Sequence, residues 1–75
     1  MAGGPYAVIL VYSTSHAMRM EKLLAEQGIV CKMIPVPRHI SSDCGVCIRI
    51  ARDQKEAALA VVAASGIEIQ AVADA

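Results

Sequence analysis

The chain contains no tryptophan or phenylalanine, and its formal net charge is zero. Seven basic residues balance seven acidic ones, so no general electrostatic field attracts a nucleic acid or an anionic membrane. We therefore expect neither of these partners. Charged residues make up only 19% of the chain and hydrophobic residues 56%, a balance that excludes disorder, because disordered chains are rich in charge and poor in apolar residues.

Long apolar runs are missing as well. The two longest, residues 7–12 and 57–64, are far shorter than the roughly 20 residues that span a bilayer, and no cleavable leader opens the chain. The three cysteines are an odd number, and Cys44 and Cys47 are only three positions apart, which fits a reducing compartment better than a disulfide framework. We expect a cytoplasmic protein.

A length of 75 residues leaves room for one core, so we expect a single domain over residues 1–75, with 1–5 as a flexible start. Cores of this size rarely supply more than about 3–5 kcal/mol. Help from a partner, or from a second copy in a homo-oligomer, is therefore expected.

The apolar pattern predicts four strands and two helices. Runs of β-branched residues and period-two alternation indicate the strands, and apolar residues at helical spacing indicate the helices. The hydroxyls from residue 13 on can cap the start of the first helix and Asp53 the start of the second, while Gly28 and Gly66 can end them. In chain order we predict a strand over 6–12, a helix over 15–27, strands over 29–34 and 46–51, a helix over 54–65 and a strand over 67–72. This order predicts an α+β domain with ferredoxin-like split βαββαβ topology, a four-stranded antiparallel sheet with two helices on one face.

The other face of such a sheet has no helix to cover it. The first strand is apolar on both sides, so Val8 and Leu10 would form an apolar stripe there, flanked by Lys32, Arg49, Glu68 and Gln70. An apolar stripe with a charged rim predicts a docking face for a partner or for a second copy.

The predicted topology brings the connection over residues 35–45 to the same end of the sheet as the turn over 13–16. Cys44 would then lie near the N-terminus of the first helix, where unpaired N–H groups and a partial positive charge favour an anion. Arg38, His39 and His16 could also lower the thiol pKa, whereas Asp43 acts in the opposite direction, so the net shift stays open.

Cys44 is accordingly the candidate reactive residue, although free cysteines are also common as inert core residues. Gly45 removes side-chain bulk beside the sulfur. Arg38 could clamp an anion or be an ordinary surface residue. Ser41 and Ser42 could donate to a bound anion or could bond the loop backbone. The candidate binding residues are Arg38, Ser41, Ser42, Gly45, Ser13, Thr14 and His16.

The other two cysteines have simpler interpretations. Cys47 falls inside a predicted strand, on the face away from Ile48 and Ile50, and is a possible second thiol. Cys31 is predicted as a core residue. A zinc site would have suitable ligand types in His39, Cys44 and Cys47 with His16 or Cys31, but common structural sites need two Cys-x-x-Cys pairs and this chain has one. We expect no metal and no cofactor.

One stretch has an uncommon pattern, in which two prolines and an arginine are followed by two serines and then by a cysteine-glycine pair. These residues are Pro35, Pro37, Arg38, Ser41, Ser42, Cys44 and Gly45. Together with the segments 13–17 and 21–24, it resembles a family of small bacterial and archaeal selenium or sulfur carrier-like proteins, over roughly residues 6–72. The resemblance implies that Cys44 corresponds to the carrier thiol, within a motif that includes Arg38, Ser41, Ser42 and Gly45. Cys47 is an addition to the family's usual pattern, so the resemblance implies no two-cysteine redox mechanism.

Two functions follow as expectations. The first is a sulfur or selenium carrier that presents a persulfide or perselenide on Cys44 to a partner enzyme. The second is a non-catalytic accessory subunit or interaction module of a larger redox enzyme complex. In both cases the chain is a carrier or accessory protein rather than a stand-alone enzyme, and its partners are proteins.

Overall fold

A computed structural model describes residues 5–37, 40 and 45–74 of the chain. The elements in order are β1 (Tyr6–Leu10), α1 (Thr14–Glu26), β2 (Cys31–Pro35), β3 (Val46–Ala51), a 3-10 turn (Arg52–Gln54), α2 (Lys55–Ser65) and β4 (Ala71–Asp74). The sheet order is β2-β3-β1-β4, and every neighbouring pair is antiparallel. The predicted ferredoxin-like α+β fold is confirmed. No helix in the described ranges has the length and apolar character needed to cross a membrane.

The helix ends follow the predicted caps with one exception. Ser13 caps α1, and Gly66 ends α2 in the left-handed conformation with φ of 79°, where a side chain would be strained. The prediction that Asp53 caps the second helix is wrong. The Arg52 N–H donates to the carbonyl of Pro5, so pairing continues to that point and the chain reverses through the 3-10 turn, and α2 begins only at Lys55.

The last strand also differs from its prediction over 67–72, because β4 spans Ala71–Asp74. Ile67 and Ile69 pack against the core but belong to no strand, since residues 67–70 cross from the helix layer to the sheet. Pairing with β1 starts where the Gln70 N–H donates to the Leu10 carbonyl over 2.7 Å. The alternation of Ile67 and Ile69 therefore belongs to a connection that packs one side against the core, and not to a strand.

The main core lies between the sheet and the two helices. Alternate residues of β1 and β3 point into it, as the period of two along a strand requires, and α1 and α2 each contribute an apolar stripe. Its buried members are Ala7, Ile9, Val11, Ala17, Met20, Leu24, Ile29, Ile48, Ile50, Ala58 and Val62.

A second, smaller apolar cluster lies on the face of the sheet turned away from the helices, which we call the second face. Its members, Val8, Leu10 and Cys47, are 0%, 3% and 0% exposed. The prediction of an open docking stripe at Val8 and Leu10 is therefore wrong. Among the described residues, four partly buried side chains pack against this cluster, and two of them, Val36 and Ile40, come from the chain between β2 and β3; the others are Ile34 and Ala73.

Candidate functional site

The register of the sheet fixes which chain segments share one end of the molecule. Leu10, the last residue of β1, pairs with Cys47 near the start of β3, and Pro35, the last residue of β2, pairs with Val46. The turn before α1 and the connection between β2 and β3 therefore leave the sheet at the same end, as the topology predicted. We call this end the loop end.

The start of α1 at the loop end is tightly organised. The Ser13 hydroxyl accepts a hydrogen bond from the His16 backbone N–H at 3.2 Å and lies 2.7 Å from Nδ1 of the His16 ring. The hydroxyl thus caps the helix and fixes the imidazole at its first turn. Thr14 is the first helical residue and is exposed. Three of the predicted binding residues, Ser13, Thr14 and His16, are therefore together at one helix N-terminus.

The connection between β2 and β3 is closed at its base by a backbone hydrogen bond. The Val36 N–H donates to the Gly45 carbonyl at 3.1 Å, and the Ile40 N–H donates to the Pro37 carbonyl at 3.0 Å in a tight turn. Gly45 is exposed, with φ of 64°, and no atom of the described residues beyond its chain neighbours lies within 4 Å of a Cβ placed there. The glycine is thus required by the left-handed backbone, and the space beside it is open.

The remaining predicted site residues lie outside the described residues. These are Arg38, Ser41, Ser42 and Cys44, together with His39 and Asp43, whose charges entered the prediction. Their positions relative to the α1 N-terminus therefore stay predictions.

Cys47, the possible second thiol, is fully buried in the second-face cluster beside Leu10. Its predicted placement on the face away from Ile48 and Ile50 is confirmed. Because no part of its side chain reaches solvent, the Cys47 thiol is not accessible to a protein partner in this conformation.

Cys31 packs against the main core, and its thiol donates to the backbone carbonyl of Glu21 at 3.5 Å. Burial raises the pKa of this thiol, and the negative charge of Glu21 raises it further. Both effects reduce the thiolate fraction, and the thiolate is the nucleophilic form. Cys31 is thus partly buried and weakly reactive, close to its prediction as a core residue.

One feature of this region is missed by reasoning from the sequence. Val36 and Ile40 pack against the second-face cluster, although they belong to a connection rather than to a periodic element. Their apolar character in an otherwise polar and proline-rich stretch was the available signal. Within the described ranges, no three His, Cys, Asp or Glu side chains lie close enough to hold a metal ion.

A protein-family model described as "Putative Se/S carrier protein-like" matches residues 6–74. Comparisons with curated protein sequences and with solved structures give no match. The match extends from the first residue of β1 to the last residue of β4, so it includes every strand, both helices and the connection that carries Cys44. The chain therefore belongs to the Se/S carrier protein-like family.

Proposed function

We propose that the chain carries sulfur or selenium on the thiol of Cys44 and delivers it to a partner protein. In the sulfur case, the Cys44 thiolate attacks the outer sulfur of a persulfide on a donor protein. The donor's sulfur-sulfur bond breaks, the donor cysteine leaves as a thiolate, and a new sulfur-sulfur bond forms at Cys44. No net oxidation or reduction takes place. An acceptor thiolate then takes the outer sulfur from Cys44 by the same exchange.

Family membership is the observation that carries this proposal. The states of the other two cysteines support it. The Cys47 thiol is fully buried, and the Cys31 thiol has a raised pKa and donates a hydrogen bond to the Glu21 carbonyl. A carrier sulfur has to meet a donor and an acceptor in turn, so neither cysteine fits that role. Cys44 is the cysteine that remains.

The organisation of the loop end supports the proposal further. Gly45, directly after Cys44, is exposed and has open space beside it. The N-terminus of α1 lies at the same end of the sheet, and Ser13 holds the His16 ring there. A helix N-terminus stabilises a nearby anion, and both a thiolate and a persulfide anion carry the charge that it favours.

The alternative function, a non-catalytic accessory module, rests on docking through the connection between β2 and β3 and through the sheet face at Val8 and Leu10. Both residues are buried, and Val36 and Ile40 are among the side chains that pack against their cluster. The apolar stripe at Val8 and Leu10 therefore does not support this alternative, and family membership favours the carrier function.

Mass spectrometry of the intact protein tests the proposal. After incubation with a cysteine desulfurase and cysteine, we expect a gain of about 32 Da, one sulfur atom, that a thiol reductant removes. Cys44→Ala should abolish the gain, whereas Cys31→Ala should retain it as the matched control. No labile adduct on the parent chain, or an adduct that survives in Cys44→Ala, would contradict the proposal.

A further inference from the structure

Two positively charged residues face each other across neighbouring strands of the second face. Lys32 on β2 is the direct cross-strand partner of Arg49 on β3. Like charges in directly opposite positions of a sheet are unfavourable unless something compensates for them. The pair is thus a local conflict in an otherwise regular sheet, and such conflicts are found where a sequence serves something other than its own folding.

No acidic side chain among the described residues compensates for this pair. The ion pairs among the described residues join Arg52 and Lys55 to Asp74, and neither of them includes Lys32 or Arg49. Arg49 instead stacks on Tyr6, with the guanidinium carbon 4.3 Å from the ring centroid. Stacking holds the guanidinium in place and leaves its N–H donors available at the rim of the ring.

The surroundings of the pair combine charge with exposed apolar surface. A cleft of about 90 Å³ is lined by Tyr6, Val30, Lys32 and Arg49, together with Cys31, Ile50 and Ala51. Val30 is 79% exposed and Tyr6 is 40% exposed, so two large apolar side chains border the two cations. Tyrosine and arginine beside apolar area are characteristic of protein interfaces.

We propose that this surface, which we call the Lys32–Arg49 cleft, docks an acidic segment of a partner protein. A carboxylate of the partner lies between Lys32 and Arg49, and a neighbouring apolar side chain of the partner covers Val30 and Tyr6. A free phosphate fits less well, because phosphate sites use clustered backbone N–H groups, and β3 is a central strand that pairs on both sides. The proposal does not depend on Cys44.

A titration of the full chain with a defined peptide tests this assignment. The probe is a capped peptide in which glutamate and leucine alternate, followed by amide chemical shifts in nuclear magnetic resonance spectra. We expect the shifts to change around Val30, Lys32 and Arg49. Lys32→Gln should weaken binding about fivefold, the range of a solvent-exposed ion pair. The melting temperature of Lys32→Gln should stay the same or rise, because the like-charge contact is relieved. If Lys32 had only a structural role, the substitution would lower the melting temperature.

The matched control is Lys22→Gln, since Lys22 is exposed on α1, on the other side of the sheet. Peptide affinity should not change in this variant. The proposal is overturned if a peptide with glutamine in place of glutamate binds equally well, or if Lys22→Gln weakens binding as much as Lys32→Gln. Inorganic phosphate that binds the same residues as tightly as the peptide would replace the protein partner with a small oxyanion.

Discussion

The carboxylate of Glu21 on α1 reaches the outer edge of β2 and accepts a hydrogen bond from the backbone N–H of Met33 over 3.3 Å. β2 is an edge strand, so this N–H has no neighbouring strand to donate to. Unpaired N–H groups along an edge are a template for pairing with another chain. The helix thus protects the edge of the sheet that it packs against.

Removing this carboxylate should weaken the fold and free the edge. We expect Glu21→Ala to lower the free energy of unfolding by about 1 kcal/mol, the net value of a typical hydrogen bond, and to increase association of the chain at high concentration. Urea denaturation measures the first effect and sedimentation velocity the second. Glu26→Ala, at an exposed position of the same helix, is the matched control and should resemble the parent chain. Identical sedimentation of Glu21→Ala and the parent across a wide concentration range would show that the edge needs no protection.

The raised pKa of the Cys31 thiol makes stability depend on pH in a defined direction. The folded chain keeps the Cys31 proton at pH values at which the unfolded chain has lost it. The free energy of unfolding should therefore fall as pH rises above about 8.5, and this part of the fall should be absent in Cys31→Ala. Urea denaturation of both chains over a series of pH values measures the difference. Equal slopes for the two chains would mean that burial does not perturb this thiol.

The same pKa has a second, electrostatic contribution that can be changed separately. Glu21→Gln removes the negative charge but keeps an oxygen that can accept from Met33. We expect the Cys31 thiol to be alkylated by iodoacetamide faster in this variant, because its pKa moves back toward the ordinary value. The rates are compared in a Cys44→Ser background, so that alkylation of Cys44 does not contribute. A slower or unchanged rate would contradict the contribution of Glu21.

The elements that sequence reasoning placed correctly are those in which local pattern and tertiary role agree. β3 was predicted over 46–51 and spans Val46–Ala51, because Ile48 and Ile50 alternate with Arg49 and one face of that strand is buried in the main core. β4 was misplaced because Ile67 and Ile69 show the same alternation. In their case the period reflects side chains that pack on the core, while the backbone hydrogen bonds to β1 begin only at Gln70.

The burial of the apolar cluster on the second face could not be predicted from periodicity. Val36 and Ile40 lie in a connection, and nothing in their spacing indicates that they turn back over Val8 and Leu10. The convergence of the α1 N-terminus with the β2–β3 connection was predictable, because it follows from the order of the elements alone. The proposed role of Cys44 rests on the motif around it, since a single cysteine has no pattern of its own.

Two measurements on Cys47→Ala, its stability and its sulfur adduct, distinguish a structural role of this cysteine from a role in sulfur transfer. Because Cys47 is fully buried beside Leu10 and packs beneath the chain between β2 and β3, Cys47→Ala should lower the free energy of unfolding by about 1–2 kcal/mol through the cavity that it leaves. The same variant should still gain one labile sulfur atom after incubation with a desulfurase. Cys44→Ala should show the loss of labile sulfur instead. If Cys47→Ala loses the sulfur adduct while its urea midpoint matches that of the parent, Cys47 takes part in the transfer, and the buried thiol must become exposed during the exchange.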